Sequence, residues 1–185
     1  MTLSNKLTAM RLLAGPLLFG LYYIDDVWVK ILCLLIVIAS EVSDALDGTI
    51  ARRRNETTDF GKLFDPFADS ISRFTFFAAF MAVGLIPPWM LLVLFLRDSL
   101  VSFIRLMAAT QNVIVSARRT GKIKAVTQAT GIIIIICADI LHYMVDNVPL
   151  VPVSGVVMTI VVAITLYSAV DYTVGNLPVI RRLSM

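Results

Sequence analysis

The sequence predicts an all-α integral membrane protein with a single domain spanning residues 1–185. Of the 185 residues, 58% are hydrophobic and only 16% are charged. The mean hydropathy of +0.87 lies above the range of soluble domains. Apolar runs recur through the chain, separated by prolines and short charged segments. No internal repeat or low-complexity linker divides the chain, so one domain is expected.

Apolar runs and helix breakers predict six transmembrane helices, preceded by a short N-terminal interfacial helix. Residues 1–11 carry Leu3, Leu7 and Met10 at helical spacing, which predicts the interfacial helix. The expected spans are residues 12–24, 28–54, about 60–85, 89–109, about 125–145 and 153 to about 174. The expected breakers are prolines, which lack a backbone N–H: Pro87, Pro88, Pro149, Pro152 and Pro178.

The basic residues predict that both termini are cytoplasmic. With six spans and the N-terminus inside, one side carries Lys6, Arg11, Arg52, Arg53, Arg54, Lys62, Arg118, Arg119, Lys122, Lys124, Arg181 and Arg182. Lys30 alone falls on the other side, and Lys and Arg are enriched in cytoplasmic loops. The expected location is a bacterial cytoplasmic membrane, with the reactive residues at its cytoplasmic face.

Four aspartates form the most unusual cluster in this apolar chain. Asp44 and Asp47 are three residues apart near the end of the second expected helix, and Asp65 and Asp69 are four apart near the start of the third. Residues at these spacings share one helix face, so the four carboxylates are expected to converge. Converging carboxylates in a low-dielectric setting need cations. Without a nearby His or Cys, the chemistry favours Mg²⁺, Mn²⁺ or Ca²⁺ over zinc.

The residues around these aspartates predict phosphoryl chemistry. Cations held there would attract a diphosphate and stabilise charge at a substituted phosphorus. Gly48 and Gly61 remove side chains where a nucleotide approaches the helix backbone, and Arg52 is placed for a bidentate phosphate contact. Asp69 is the candidate general base for an attacking hydroxyl. No covalent nucleophile is evident.

A second cluster, of basic residues, predicts a site for a phosphorylated acceptor at the same membrane face. Its candidate phosphate-binding residues are Arg105, Arg118, Lys122 and Lys124. The alternative is ordinary positive-inside charge, which sets topology only. Arg97 is expected either to serve function or to pair with Asp98.

The spacing Asp44-x2-Asp47-Gly48-x2-Ala51-Arg52-x8-Gly61-x3-Asp65-x3-Asp69 resembles the signature of the CDP-alcohol phosphotransferase family. Further residues outside that signature resemble the branch of the family that uses glycerol 3-phosphate. They are Asn5-x2-Thr8-x2-Arg11, Arg97, Arg105 and Gly121-Lys122-Ile123-Lys124-x3-Gln128. The resemblance implies a six-helix membrane fold, usually dimeric. It also implies transfer of a phosphatidyl group from CDP-diacylglycerol to an alcohol, with release of CMP.

Residue roles follow from the resemblance by position. It implies that two divalent ions, Mg²⁺ or Mn²⁺, are held by Asp44, Asp47, Asp65 and Asp69, and that Asp69 is also the base. It implies that the CDP donor is bound by Asn5, Thr8, Gly48, Ala51, Arg52 and Gly61. The expected partners are CDP-diacylglycerol, a phosphorylated alcohol, membrane lipid and a second copy of the chain, with no nucleic acid.

Two positions depart from that branch, Ser70 after the last aspartate and Asp98 after Arg97. The preferred acceptor is glycerol 3-phosphate, and inositol phosphate, inositol and serine are alternatives. A small cation-coupled transporter is the alternative from another class. It predicts charges near the bilayer midplane and inverted repeats, whereas the acids here cluster at one face.

Overall fold

The computed structural model describes the backbone of residues 3–54, 59–110, 118–145 and 148–177. It describes the side chains of residues 12–43, 68–108, 118–145 and 148–177. Within these ranges the regular structure is all α-helical, as the sequence predicted, and consists of six helices. They are α1 (Leu3–Tyr22), α2 (Val27–Arg54), α3 (Asp59–Ala82), α4 (Pro88–Thr110), α5 (Arg119–Met144) and α6 (Leu150–Gly175).

The first helix corrects the expectation of a separate interfacial helix. α1 runs without interruption from Leu3 to Tyr22 and contains Pro16. The prediction began the first span at residue 12, after the weakly basic residues 1–11, which include Lys6 and Arg11. Lysine and arginine are good helix formers, and a charge on one face does not end a helix.

Local hydrogen bonds set the N-terminus of α2 and the C-terminus of α3. The Asp26 carboxylate caps α2 by accepting the backbone N–H groups of Trp28 at 2.8 Å and Val29 at 3.2 Å. α3 ends at Ala82, before the predicted residue 85, because Gly84 adopts a positive φ of 80°. The turn closes through backbone bonds from Gly84 to Met81 and from Leu85 to Phe80, the Schellman pattern.

The last two helices both begin earlier than predicted. α5 starts at Arg119 rather than near residue 125, because the polar side chains of its first turns have partners on other helices. α6 starts at Leu150 rather than at residue 153, so Pro152 lies in its first turn instead of before it. A proline fits there because the N–H groups of the first turn have no partner within the helix.

Packing arranges the helices so that α5 contacts α2, α3 and α6, while α1 contacts α2 and α3, and α4 contacts α3 and α6. The shared core includes Leu18, Cys33, Val37, Phe76, Phe77, Phe80, Ile132, Ile135, Ile136, Met158 and Val161. Gly131 permits the close approach of α5 to α6, since a Cβ there would lie 2.9 Å from Val161 Cγ2. The core thus fixes α3, α4, α5 and α6 around the residues described below.

The outer surface of the bundle is apolar. Large hydrophobic side chains on α1, α2, α4, α5 and α6 are exposed, including Leu13, Leu35, Phe95, Phe103, Val126, Ile160 and Val170. Among the described residues, two helices are long and apolar enough to cross a membrane, Arg119–Met144 and Leu150–Gly175. An exposed apolar surface of this extent is typical of a protein that lies in lipid.

A buried charge cluster joins three helices at the end of the bundle where α1 and α5 finish. Tyr22 on α1 donates its hydroxyl to Asp139 Oδ2 on α5 at 2.6 Å, and Lys30 Nζ on α2 lies 3.6 Å from the same oxygen. Lys30 Nζ also donates to the Tyr22 carbonyl at 2.8 Å. Lys30, the one cation expected on this side of the membrane, is therefore a buried structural residue and only 4% exposed.

Candidate active site

A charged cavity of about 220 Å³ lies at the opposite end of the bundle, between α3, α4 and the start of α5. Its lining consists of Asp69, Ser70, Arg73, Arg97, Asp98, Val101, Ser102, Arg105, Arg118, Gly121, Lys122, Lys124 and Ala125. The structure therefore brings the predicted base together with all four predicted acceptor-binding residues.

Helical spacing explains why these residues meet. On α4 the residues that line the cavity are 97, 98, 101, 102 and 105, which lie three or four apart along one face. On α5 the lining residues come from the first two turns, 121 to 125. These are the turns that the sequence analysis placed in a loop.

Asp98 holds two of the cavity cations. Its carboxylate accepts bonds from Lys124 Nζ at 2.7 and 2.8 Å and from Arg97 Nη1 at 2.9 Å. For Arg97, the sequence predicted either a functional role or a pair with Asp98, and the structure shows the pair. Lys124 is only 4% exposed. Its ammonium charge is thus largely compensated before any ligand arrives, and the Lys124 contribution to phosphate binding stays a prediction.

Arg105 and Lys122 present less compensated charge to the cavity. Arg105 Nε donates to the neutral hydroxyl of Tyr172 at 3.1 Å. Lys122 is exposed at the rim. Within the described part of the chain, no carboxylate lies within ion-pair distance of either side chain. These two cations are therefore the ones best placed to bind an anion.

Arg118 stands at the cavity rim, held by α6. Its Nη1 donates to the Asp171 carbonyl, and its Nε lies 3.3 Å from Asp171 Oδ2. Thr120 donates to the same carboxylate at 2.6 Å. The sequence analysis missed Asp171, Tyr172 and Ser168, although polar residues at helical spacing in the apolar helix α6 were the available signal.

Most of the four predicted metal-binding aspartates have side chains outside the described residues. Asp69 lines the cavity. The side chains of Asp44, Asp47 and Asp65, and of the predicted CDP contacts Asn5, Thr8, Gly48, Ala51, Arg52 and Gly61, are outside the described residues. Their backbone positions lie on α1, α2 and α3.

One ion pair links the two helices that carry the aspartates. Arg73 on α3 donates to both carboxylate oxygens of Glu41 on α2, at 3.2 and 3.0 Å. Glu41 precedes the end of α2 at Arg54 by about as many residues as Arg73 follows the start of α3 at Asp59. The aspartate positions of the two helices therefore fall on matching turns.

The donor chemistry fits a hard divalent cation. Mg²⁺ and Mn²⁺ prefer carboxylate oxygens as ligands, so the four predicted ligands Asp44, Asp47, Asp65 and Asp69 have the chemistry that such an ion requires. Among the described side chains, which exclude those of three of the four aspartates, no group of three or more His, Cys, Asp or Glu is placed to hold a metal ion.

An apolar groove of about 190 Å³ adjoins the charged cavity. Phe74, Phe77, Leu94 and Phe95 form its hydrophobic wall, between α3 and α4. Ser70, Arg73, Asp98 and Ser102 line both the groove and the cavity. The two spaces are thus contiguous, with a charged part and a hydrocarbon part, as an amphiphilic substrate requires.

A helical bundle with an apolar outer surface, a cationic cavity and an adjoining apolar groove is the arrangement of a membrane enzyme that acts on phosphorylated lipids. The family comparison agrees, because the chain belongs to the CDP-alcohol phosphatidyltransferase family, whose model matches residues 1–167. Members of this family are membrane-bound transferases that generally use a divalent metal.

Similar proteins carry one recurrent name. The chain is 29% identical to the CDP-diacylglycerol--glycerol-3-phosphate 3-phosphatidyltransferase of Bacillus subtilis over 94% of each chain. It is 32% identical to the protein of the same name from Treponema pallidum, over 67% of this chain and 63% of that one. It is also 32% identical to a cardiolipin synthase (CMP-forming) from Oryza sativa, over 75% of this chain and 46% of that one.

Proposed function

We propose that the protein transfers a phosphatidyl group from CDP-diacylglycerol to glycerol 3-phosphate, giving phosphatidylglycerophosphate and CMP. The names of the relatives from Bacillus and Treponema support this assignment. The observation that carries it is that Asp69 shares one cavity with Arg105 and Lys122. This arrangement supports the proposed roles of Asp69 as proton acceptor and of Arg105 and Lys122 as phosphate-binding cations.

Asp69 acts as general base in this proposal. It takes the proton of the acceptor hydroxyl as that oxygen attacks the phosphorus of the phosphatidyl group. The new P–O bond forms as the bond to CMP breaks, and CMP leaves with the bonding electron pair. Arg105, Arg118 and Lys122 hold the acceptor phosphate, which fixes the distance of the hydroxyl from the donor.

The donor lies on the α2 and α3 side of the cavity. Asn5, Thr8, Gly48, Ala51, Arg52 and Gly61 are its proposed CDP contacts. Two divalent ions, Mg²⁺ or Mn²⁺, held by Asp44, Asp47, Asp65 and Asp69, would neutralise the charge of the diphosphate. The groove walled by Phe74 and Phe95 supports a lipid donor, because it gives hydrocarbon a place beside the charged cavity.

The proposal includes six membrane spans, cytoplasmic termini and a homodimer in a bacterial cytoplasmic membrane. The exposed apolar side chains on five of the helices support the span count in the described part of the chain. The cavity lies at the end of the bundle where the basic residues concentrate, which supports a cytoplasmic active site.

The cations also favour a phosphorylated acceptor over free inositol or serine. Beside a neutral alcohol, Arg105 and Lys122 would have no anionic partner among the described side chains. Inositol phosphate fits the same charge requirement and is the second candidate acceptor. The test is to incubate purified protein with CDP-diacylglycerol and each acceptor in turn, then identify the lipid product. A best rate with serine or free inositol would contradict the proposal.

Neutralising the cavity cations should weaken acceptor binding selectively. Lys122→Ala and Arg105→Ala are each expected to raise the KM for glycerol 3-phosphate by about tenfold or more, because a charge-assisted hydrogen bond is lost. The KM for CDP-diacylglycerol should change little. Arg52→Ala should show the reverse and impair the donor.

Arg119→Ala is the matched control, since Arg119 is exposed beside Arg118 and does not line the cavity. Steady-state kinetics with each substrate varied in turn give both KM values. If Lys122→Ala behaves like Arg119→Ala with the best acceptor, the basic residues serve only to set topology.

A further inference from the structure

We infer that a stripe on α6, formed by Ser168, Asp171, Tyr172 and Gly175, holds three arginines of the cavity and positions two of them, Arg105 and Arg118, for the acceptor. The stripe touches Arg97 and Arg105 on α4 and Arg118 just before α5. The inference rests on the proposed function, because it takes Arg105 and Arg118 as the groups that bind the acceptor phosphate.

Each stripe residue meets its arginine in a different way. Ser168 Oγ accepts a bond from Arg97 Nη2 at 2.7 Å. The Tyr172 hydroxyl accepts from Arg105 Nε at 3.1 Å, and the Arg105 guanidinium carbon lies 5.6 Å from the centre of the same ring. Asp171 binds Arg118 through both its backbone carbonyl and its carboxylate.

Gly175 contributes space rather than a bond. A Cβ atom built on Gly175 would overlap the Arg118 guanidinium, which occupies the place of the missing side chain. By contrast, a Cβ on Gly155 of the same helix would meet nothing within 4 Å. A methyl group at position 175 therefore displaces the end of a flexible side chain without disturbing the helix packing.

The spacing of the stripe makes it one face of α6. Residues 168, 171 and 175 are three or four positions apart, as are residues 168, 172 and 175, so the stripe lies along one side of α6, toward α4 and Arg118. Ser168 and Tyr172 are buried.

The bonds leave part of the Arg105 and Arg118 guanidinium groups available to a ligand. Arg105 uses Nε for Tyr172, which leaves its terminal nitrogens directed elsewhere, and Arg118 uses Nε and Nη1 for Asp171. A guanidinium is planar, so fixing one edge sets the direction of the remaining donors. Prior orientation lowers the entropy lost when an anion binds.

Tyr172→Phe tests the inference with the smallest change, because it removes one buried hydroxyl and keeps the ring. The KM for glycerol 3-phosphate should rise about three- to tenfold, as expected for one weakened hydrogen bond to a charged group. The kcat and the KM for CDP-diacylglycerol should stay within about twofold of wild type. The thermal midpoint should stay within about a few degrees of wild type. Tyr167→Phe is the matched control, since Tyr167 is 67% exposed on the same helix.

Gly175→Ala against Gly155→Ala is the second comparison. Gly175→Ala should raise the acceptor KM by about tenfold because it displaces the Arg118 guanidinium, whereas Gly155→Ala should leave it unchanged.

Two results would overturn the inference while leaving the proposed function intact. One is an unchanged acceptor KM in Tyr172→Phe and Gly175→Ala when Arg105→Ala raises it. The other is an increase in both KM values together with a decrease in kcat and in thermal stability, which indicates a packing role for the stripe. If Arg105→Ala and Arg118→Ala themselves leave the acceptor KM unchanged, the phosphate site of the proposed function fails, and the inference fails with it.

Discussion

Asp69→Asn is expected to lower turnover by about 100- to 10,000-fold, the usual contribution of a general base, while CDP-diacylglycerol still binds. The amide of asparagine offers an oxygen to a cation but cannot take the proton of the attacking hydroxyl. Asp69 lines the cavity beside the cations proposed to hold the acceptor, so its substitution should affect the chemical step most.

The measurement pairs donor affinity with single-turnover release of CMP. Asp65→Asn provides the comparison, because loss of a ligand that has no role as base should reduce donor affinity and turnover together. Asp25→Asn is the matched control, an exposed aspartate at the other end of the bundle. Equal losses of affinity and turnover in Asp69→Asn would assign Asp69 as a cation ligand only.

The all-helical fold and the order of its long helices could be predicted from the sequence because apolar runs and prolines act locally. The error at the start of α5 has a tertiary cause. Thr120 and Lys124 extend α5 toward its N-terminus through bonds to Asp171 and Asp98, which lie on other helices. A start signal of that kind depends on tertiary partners and has no local pattern.

The candidate site was predictable to a similar degree. The charged residues at the ends of α3, α4 and α5 were expected at one membrane face, and they do line one cavity with Asp69. Their catalytic and binding roles stay predictions. The α6 stripe escaped the sequence analysis because its partners lie about 50 to 70 positions away, and polar residues in an apolar helix do not identify their partners.

The contacts of Asp98 divide the cavity cations into two groups. Asp98 compensates the charges of Lys124 and Arg97, and its bond to Lys124 links α4 to α5 through their side chains. In the proposed function, Arg105 and Lys122 are the cations that remain for the acceptor phosphate. The proposal therefore gives the carboxylate at position 98 a role in setting how much positive charge the acceptor meets.

Removing Asp139 is expected to cause the largest loss of stability. In Asp139→Ala, the Lys30 ammonium and the Tyr22 hydroxyl lose their shared carboxylate in the buried cluster that joins α1, α2 and α5. An uncompensated buried charge typically lowers the free energy of unfolding by about 3–5 kcal/mol. Unfolding of the purified protein in mixed micelles, followed by circular dichroism, measures the change.

A double variant separates the charge from the packing. Lys30→Met combined with Asp139→Leu removes both charges and keeps apolar volume, so it should recover most of the stability lost in Asp139→Ala. Asp25→Ala, which removes an exposed carboxylate at the same end of the bundle, should change the free energy of unfolding by less than about 0.5 kcal/mol. If the double variant is no more stable than Asp139→Ala, the lost stability reflects helix packing at this site rather than the unpaired charge of Lys30.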